Sequence, residues 1–146
     1  MANTILNVAE KPSVAKSVTD ILSNSSYSSI NSNSQYNPVY TFNYNYNNER
    51  HIMLFTSVTG HIMEYFWPES LSKWQLETCE EMYLSEPNKG VVKDKLGIFN
   101  NLKQYGKNSA ILILWLDCDR EGENIAYEVV ECVHKVNPRI KLLRAH

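Results

Sequence analysis

The chain has 146 residues, of which 43% are hydrophobic, and its formal net charge is −2. This length is typical of a single domain with one core, and the apolar content excludes an intrinsically disordered chain. With 14 basic and 16 acidic residues, the chain lacks the excess of positive charge by which many proteins hold nucleic acid, so any such binding has to be local. No apolar run reaches the ~18 residues of a membrane span, and the N-terminus lacks a secretory signal. A soluble intracellular protein is therefore expected.

Strand and helix patterns alternate along the first part of the chain. The short apolar segment 4–9 runs into Glu10-Lys11-Pro12-Ser13, where proline suits the first turn of a helix, and apolar residues then recur at helical spacing. Residues 23–48 are rich in Ser, Asn and Tyr, and we expect a surface insertion that packs little. Aromatic residues alternate with Thr and Asn at 40–46, and an apolar run covers 52–58. These two runs predict a β-hairpin.

The second part of the chain resumes the alternation after an irregular stretch. Residues 64–89 show no clean period, so we predict irregular structure there. Apolar residues at helical spacing over 92–105 predict an amphipathic helix. The run at 110–116 is apolar on both faces, as in a central strand of a parallel sheet, and a helical pattern follows it. A last strand at 140–143 completes an α/β fold with a mostly parallel central sheet, flanking helices and an added β-hairpin.

Acidic residues follow two of the predicted strands, at the edge where a parallel sheet binds its ligands. Glu10 comes after the first strand, and Asp117, Asp119 and Glu121 come after the central one. Carboxylates at one edge repel one another unless a cation joins them, and hard oxygen ligands suit Mg²⁺ held together with substrate phosphates. The sequence therefore predicts a magnesium site for a phosphate-containing substrate. Spacing alone leaves open the alternative that these residues only cap the following helix.

Three segments of the sequence, in this order and spacing, resemble one known family. They are Ala9-Glu10-Lys11-Pro12-Ser13-Val14-Ala15-Lys16, Ser57-Val58-Thr59-Gly60-His61 and Asp117-Cys118-Asp119-Arg120-Glu121-Gly122-Glu123-Asn124-Ile125. Together they resemble the toprim domain of type IA DNA topoisomerases, and within that family its eukaryotic topoisomerase III branch. The resemblance covers nearly the whole chain and is weakest over 23–48. It implies a single toprim domain with a Rossmann-like fold over residues 1–146.

The resemblance also implies roles for five side chains. Glu10 would protonate the leaving 3′ oxygen when a DNA strand is cut, and it would act as the base when the strand is resealed. Lys11 would steady the scissile phosphate. Asp117, Asp119 and Glu121 would bind Mg²⁺.

Three further residues of the resembling segments have less defined roles. Arg120 either contacts phosphate or forms a structural ion pair. Glu123 belongs to the acidic motif in a position that supports the metal ligands or the helix start. His61 lies on a loop that the resemblance places beside the active site, although a single turn histidine more often bonds its own loop.

The resemblance implies one half of an active site. The family cuts and reseals single DNA strands by transesterification through a tyrosine in a separate domain, and none of the nine tyrosines here lies in the matching context. We therefore expect the isolated chain to bind Mg²⁺ without relaxing DNA, and its parent to be a nuclear isomerase. The implied partners are single-stranded DNA, the remaining topoisomerase domains, and accessory proteins including a helicase, with no membrane.

Two other functions remain open at this point. A stand-alone toprim nuclease or primase-like phosphotransfer enzyme would use water or a nucleotide hydroxyl as nucleophile, and would cleave DNA with metal alone. A metal-free binding module would use the acidic cluster only to cap a helix. The pair Glu10-Lys11 and the loop at 58–61 favour the interpretation as one half of a topoisomerase active site.

Overall fold

A computed structural model describes residues 3–73 and 75–145 of the chain. Its strands are β1 (Thr4–Ala9), β2 (Ser28–Ile30), β3 (Val39–Tyr46), β4 (Glu49–Ser57), β5 (Met63–Phe66), β6 (Asn88–Val91), β7 (Ile111–Trp115) and β8 (Lys141–Arg144). Its α-helices are α1 (Pro12–Ser23), α2 (Leu76–Leu84), α3 (Leu96–Gly106) and α4 (Arg120–His134). Short 3-10 turns lie at Glu69–Leu71 and Lys93–Lys95.

The main sheet has six strands in the order β2-β3-β4-β1-β7-β8. Strands β4, β1, β7 and β8 are parallel to their neighbours in this series, while β3 is antiparallel to both β2 and β4. The prediction of an α/β fold with a mostly parallel sheet and a β-hairpin is confirmed. The helix predicted over 92–105 begins later, at Leu96, because a 3-10 turn precedes it.

Helices cover both faces of the main sheet. On one face, α1 packs against side chains that include Phe55 and Ile113. On the other face, α3 and α4 pack against side chains that include Leu6, Leu112 and Leu114. Successive residues of β7 thus point into opposite cores, which explains why the run at 110–116 is apolar throughout. Within the described ranges, no helix combines the length and the apolar content needed to cross a membrane.

The β3–β4 hairpin closes through a two-residue turn. Tyr46 pairs with Glu49 across that turn. Asn47 and Asn48 have φ angles of 52° and 64°, in the left-handed region that tight type I′ hairpins require and that asparagine tolerates better than most residues. The predicted hairpin is confirmed, and its second strand begins at Glu49 because the pairing extends back to the turn.

Residues 23–48 pack more closely than their composition suggests. Strand β2 pairs with β3 and so extends the main sheet. Asn37 is buried, and its Nδ2 donates to the carbonyl oxygen and the Oγ of Ser57 at 3.1 and 3.0 Å. Residues 24–36 are exposed or half-buried, whereas Asn37 and strand β3 pack against the rest of the domain. Polar side chains can be buried when hydrogen bonds replace their contacts with water, and composition does not reveal those bonds.

Asn101 joins this polar segment to α3. Its side chain is buried, and its Oδ1 accepts hydrogen bonds from the backbone and side-chain nitrogens of Asn33 at 2.8 and 3.0 Å. Its Nδ2 donates to Ser32 Oγ at 2.9 Å. One amide therefore satisfies several polar groups of the segment at once.

We expect Asn101→Ala to lower the free energy of unfolding by about 1–3 kcal/mol, because it leaves buried polar partners without hydrogen bonds. Urea denaturation measures the effect. The matched control is Asn100→Ala, an exposed neighbour on the same helix, which should change the free energy of unfolding by less than about 0.5 kcal/mol. Equal effects of the two substitutions would show that Asn101 does not hold the segment.

The prediction of irregular structure at residues 64–89 is wrong. These residues contain α2 and most of a two-stranded antiparallel sheet in which Met63 pairs with Val91. The paired strands are far apart in sequence, so no local period reveals them. Helix α2 leaves Leu76 and Leu84 exposed, so no apolar face marks it in the sequence either.

Candidate active site at the carboxyl edge of the sheet

The parallel strands β4, β1, β7 and β8 end at one edge of the main sheet. Their register aligns Ala9 with Ser57 on one side and with Trp115 on the other, and Arg144 ends the outer strand β8. The segments that continue past these ends are neighbours at the edge. They contain Glu10, Lys11, the loop at 58–61 and the segment at 117–121.

Glu10, Lys11 and Asp117 are in direct contact. Glu10 Oε2 accepts a hydrogen bond from the Asp117 backbone N–H at 3.1 Å. Lys11 Nζ donates to Asp117 Oδ2 at 3.3 Å and lies 3.8 Å from Glu10 Oε1. The Glu10 side chain is 16% exposed, whereas the side chains of Lys11 and Asp117 are 59% and 54% exposed. A partly buried carboxyl thus lies beside a solvent-accessible ion pair.

The charge of Lys11 is maintained by its neighbours. The hydrogen bond to Asp117 raises the pKa of the Lys11 ammonium above its ordinary value, and the negative charges of Asp117 and then Glu10 raise that pKa further. The charged form of Lys11 is therefore favoured more than that of an isolated lysine. It supplies a fixed positive charge next to the Glu10 carboxyl.

Asp119 begins α4. Its backbone is extended, with φ −131° and ψ 176°, and its Oδ1 accepts a hydrogen bond from the Gly122 N–H at 2.7 Å. Gly122 lies directly against the preceding turn, since a Cβ atom added there would come within 2.1 Å of the Asp117 carbonyl oxygen. Glycine is therefore required where β7 passes into α4. Asp119 has the capping role that spacing alone left open.

Glu121 and His61 face each other beside this turn. Glu121 Oε1 lies 3.9 Å from His61 Nε2, and the Glu121 side chain is 72% exposed. Arg120 and Asn124 line the same open cavity of about 570 Å³. Among the ion pairs of residues 3–73 and 75–145, none includes Arg120. Its guanidinium is therefore not committed to a structural ion pair there.

The predicted metal ligands do not form a ready-made cluster. In the described part of the chain, no group of three or more His, Cys, Asp or Glu side chains is close enough together to hold a metal ion. Asp117, Asp119 and Glu121 have separate contacts instead, with Lys11, the α4 N-terminus and His61 respectively. The structure places all three at one edge without bringing their carboxylates into a common set.

Arg144 belongs to this site although the sequence analysis did not select it. Its Nη2 donates to the Asp117 carbonyl oxygen at 3.1 Å, and its Nε and Nη2 donate to Glu123 Oε1 at 3.0 and 2.7 Å. The guanidinium ties the β7–α4 turn to the edge strand β8. Its place in the sequence could have pointed to it, because Arg144 ends a strand predicted to be parallel, at the edge where such sheets bind ligands.

Glu128 is a second residue that the sequence analysis missed. This α4 side chain is buried. Its Oε2 accepts hydrogen bonds from the N–H groups of Ile62 and Met63 at 2.7 and 3.2 Å, and its Oε1 lies 2.8 Å from His61 Nδ1. His61 thus bonds to α4, and among the described residues no side-chain hydrogen bond joins it to its own loop. The available signal was a charged residue on the apolar face of a predicted helix.

Comparison with known proteins places this architecture in a family. The family model for the Toprim domain matches residues 5–145. DNA topoisomerase 3-alpha of Arabidopsis thaliana is 44% identical over 143 residues, which are 98% of this chain and 15% of that protein. DNA topoisomerase 3 of Dictyostelium discoideum is 44% identical over 149 residues, covering 100% of this chain and 18% of that protein.

A human relative extends the comparison. DNA topoisomerase 3-alpha of Homo sapiens is 34% identical over 143 residues, covering 97% of this chain and 14% of that protein. The chain thus spans between 14% and 18% of the length of these three relatives. Because the family model matches from the first strand to the last, the chain belongs to the Toprim domain family.

Proposed function

We propose that this chain supplies the acid–base and magnesium-binding half of the active site of a type IA DNA topoisomerase. Such an isomerase cuts and reseals single DNA strands by transesterification. The observation that carries the proposal is the contact among Glu10, Lys11 and Asp117 at the carboxyl edge of the sheet. Similarity to proteins named DNA topoisomerase 3 supports it.

The proposal includes partners and a cellular location. The substrate is single-stranded DNA, and the tyrosine nucleophile comes from another domain of the parent protein. Accessory proteins, including a helicase, assist the reaction in the nucleus. Support for these partners and for the nuclear location comes from the similarity to eukaryotic relatives.

In this proposal, Glu10 moves the proton. During cleavage the tyrosine hydroxyl loses its proton to solvent and its oxygen attacks phosphorus. The bond from phosphorus to the 3′ oxygen breaks, and the electron pair stays on that oxygen. The Glu10 carboxylic acid gives its proton to the leaving 3′ oxygen, and the resulting carboxylate takes the proton back during resealing. The hydrogen bond from the Asp117 N–H at 3.1 Å holds the carboxyl in one orientation, which proton transfer requires.

Two sources of positive charge balance the negative charge of the phosphate: the Lys11 ammonium and a Mg²⁺ ion held by the carboxylates. The Lys11 ammonium, kept protonated by its neighbours, offsets negative charge that develops on the scissile phosphate. Asp117, Asp119 and Glu121 hold Mg²⁺, which supplies further positive charge to the bound phosphate. Arg120, which lines the adjacent cavity, is a candidate contact for a second phosphate of the strand.

The oxygen donors at this edge fit Mg²⁺ better than a metal that needs a protein cage. Mg²⁺ is usually held by one or two carboxylates together with waters and substrate phosphates, so a preformed set of three side chains is not required. The side chains of Asp117 and Glu121 are 54% and 72% exposed, which leaves room for water and phosphate around the ion.

We expect the Asp117→Asn, Asp119→Asn double variant to bind Mg²⁺ at least about tenfold more weakly than the unchanged chain, because two anionic oxygen donors are lost. Isothermal titration calorimetry with MgCl₂ measures the affinity. The fold should persist, since asparagine caps a helix as well as aspartate does.

The matched control for this magnesium experiment is the Asp20→Asn, Glu49→Gln double variant. It makes the same change of charge away from the site, because Asp20 pairs with Lys16 on α1 and Glu49 begins β4 at the opposite edge of the sheet. Its affinity for Mg²⁺ should equal that of the unchanged chain. Undiminished affinity of the site variant would contradict the ligand assignment and would leave these carboxylates with a capping role alone.

The nuclease alternative is tested with the chain by itself. We expect the chain neither to nick nor to relax negatively supercoiled plasmid in the presence of Mg²⁺. In the proposal the tyrosine nucleophile belongs to another domain of the parent protein, and within residues 3–73 and 75–145 no hydrogen bond of Glu10, Lys11 or Asp117 involves a tyrosine. Agarose gel electrophoresis reads the plasmid forms. Nicking that needs Mg²⁺ and disappears in Glu10→Gln would instead establish a metal-dependent nuclease with water as nucleophile.

A further inference from the structure

We infer that Glu128 is a positioning residue that holds the proton of the His61 imidazole on Nδ1 and thereby presents Nε2 as a hydrogen-bond acceptor at the acidic edge. The consequence for catalysis rests on the proposed function. The assignment of the proton does not, because it follows from the contacts of Glu128 alone. The two parts therefore have separate tests.

The inference starts from the surroundings of the Glu128 carboxylate. Its side chain is only 6% exposed, and burial of a carboxylate is costly unless hydrogen bonds replace its contacts with water. Oε2 accepts hydrogen bonds from the backbone N–H groups of Ile62 and Met63, and Oε1 is within hydrogen-bond distance of His61 Nδ1. Both oxygens are thus engaged. A backbone N–H can only donate, so Oε2 is an acceptor.

The proton position on His61 follows from this arrangement. The Glu128 carboxyl already accepts two backbone N–H groups, so we assign it the acceptor role in the 2.8 Å contact between its Oε1 and His61 Nδ1 as well, with the proton on Nδ1. In a neutral imidazole the other nitrogen is then an acceptor. Glu128 therefore determines which hydrogen-bonding character His61 shows to the site.

The acceptor character of Nε2 limits what His61 can recognise. Nε2 lies 3.9 Å from Glu121 Oε1, and with a neutral imidazole these are two acceptors that need a donor between them. The open cavity beside them is lined by Arg120 and Asn124 as well. A hydroxyl group or a water molecule in the DNA complex can donate such a hydrogen bond. A bare phosphate oxygen only accepts hydrogen bonds and therefore cannot.

Glu128 also fixes the position of the loop that carries His61. The loop leaves β4 at Val58. The Val58 N–H donates to the carbonyl oxygen of Ala9 at 2.9 Å, and Ala9 directly precedes Glu10 in the chain. The other end of the loop is bound to Glu128 through Ile62 and Met63. Because α4 begins in the acidic segment, Glu128 links the loop to the helix that continues from that segment.

Glu128→Gln separates the proton assignment from simple structural support. The amide oxygen still accepts the N–H groups of Ile62 and Met63, so the loop stays bound. The amide nitrogen donates to His61 Nδ1, however, which moves the imidazole proton to Nε2. The control is Glu131→Gln on the same helix, which loses only the surface ion pairs of Glu131 with lysines.

Long-range ¹H–¹⁵N NMR of the imidazole rings in the 146-residue chain measures the tautomer in alkaline buffer, where neutral imidazoles carry one proton. A His61→Asn variant identifies the His61 signals. We expect an Nδ1–H tautomer in the unchanged chain and in Glu131→Gln, and an Nε2–H tautomer in Glu128→Gln. An Nε2–H tautomer in the unchanged chain would overturn the inference even if the variant failed to fold. The same tautomer in the unchanged chain and in a folded Glu128→Gln variant would also overturn it.

The catalytic part is tested in the full-length parent enzyme by single-turnover cleavage of a single-stranded oligonucleotide. Glu128→Gln should slow cleavage by about 10–100-fold, as is typical when a supporting residue is changed, with unchanged oligonucleotide affinity. Glu131→Gln should cleave at the parental rate. If Glu10→Gln blocks cleavage while Glu128→Gln does not, the positioning role is wrong. If Glu10→Gln has no effect, the proposed function fails and the NMR result for His61 is untouched.

Discussion

In the full-length parent enzyme, Glu10→Gln should slow single-turnover cleavage of a single-stranded oligonucleotide by about 10²–10⁴-fold, the range typical of general acid–base catalysis. A proton has to reach the leaving 3′ oxygen, and a neutral amide cannot give one. The substitution preserves the shape of the side chain and an oxygen that can accept the Asp117 N–H. Fold and most DNA binding should therefore be retained. Resealing should slow as well, because the same group takes the proton back.

The magnitude of this effect separates a catalytic Glu10 from a structural one. A capping or surface carboxylate would change stability by about 1 kcal/mol and the cleavage rate hardly at all. Melting temperature and oligonucleotide affinity are measured alongside cleavage to show that the variant is folded and binds. The matched control is Glu64→Gln, at an exposed position on β5, which should cleave at the parental rate. Unchanged cleavage by Glu10→Gln would remove the acid–base half of the assignment.

Gly122→Ala should destabilise the chain by about 1–3 kcal/mol, the usual cost of forcing an extra carbon into a well-packed position. The added Cβ would lie 2.1 Å from the Asp117 carbonyl oxygen and 3.0 Å from its carbonyl carbon. Because both atoms are backbone, they can yield only if the β7–α4 turn opens or α4 shifts. Each kcal/mol corresponds to a fall of roughly 2–4 °C in the melting temperature of a domain of about this size.

The same substitution should weaken Mg²⁺ binding, because the turn that it distorts contains Asp117 and Asp119. Thermal denaturation and calorimetry measure the two effects on one preparation. Asn124→Ala is the matched control, since it places alanine at an exposed position of the same helical turn. It should change stability by less than about 0.5 kcal/mol. A Gly122→Ala variant with unchanged melting temperature and Mg²⁺ affinity would contradict the close approach of α4 to the turn.

Much of the fold was determined by the sequence alone because apolar periodicity is a local property. The run at 110–116 is apolar throughout and became β7, which is covered on both faces. The alternating run at 40–46 and the apolar run at 52–58 predicted the β3–β4 hairpin. The acidic edge was also within reach, because the carboxyl ends of parallel strands meet at one edge whatever else the fold contains. Glu10 and Asp117 could therefore be expected near each other from the sequence alone.

Only the tertiary structure decided which side chains complete that edge. Glu128 is bound to Ile62 and His61, 66 and 67 residues earlier in the chain, and Arg144 reaches back 27 residues to the Asp117 carbonyl. The burial of Asn101 likewise depends on Asn33, 68 residues away. A buried polar group is stable only with its partners in place. Its role is therefore a property of contacts between distant segments, which no pattern within a single segment contains.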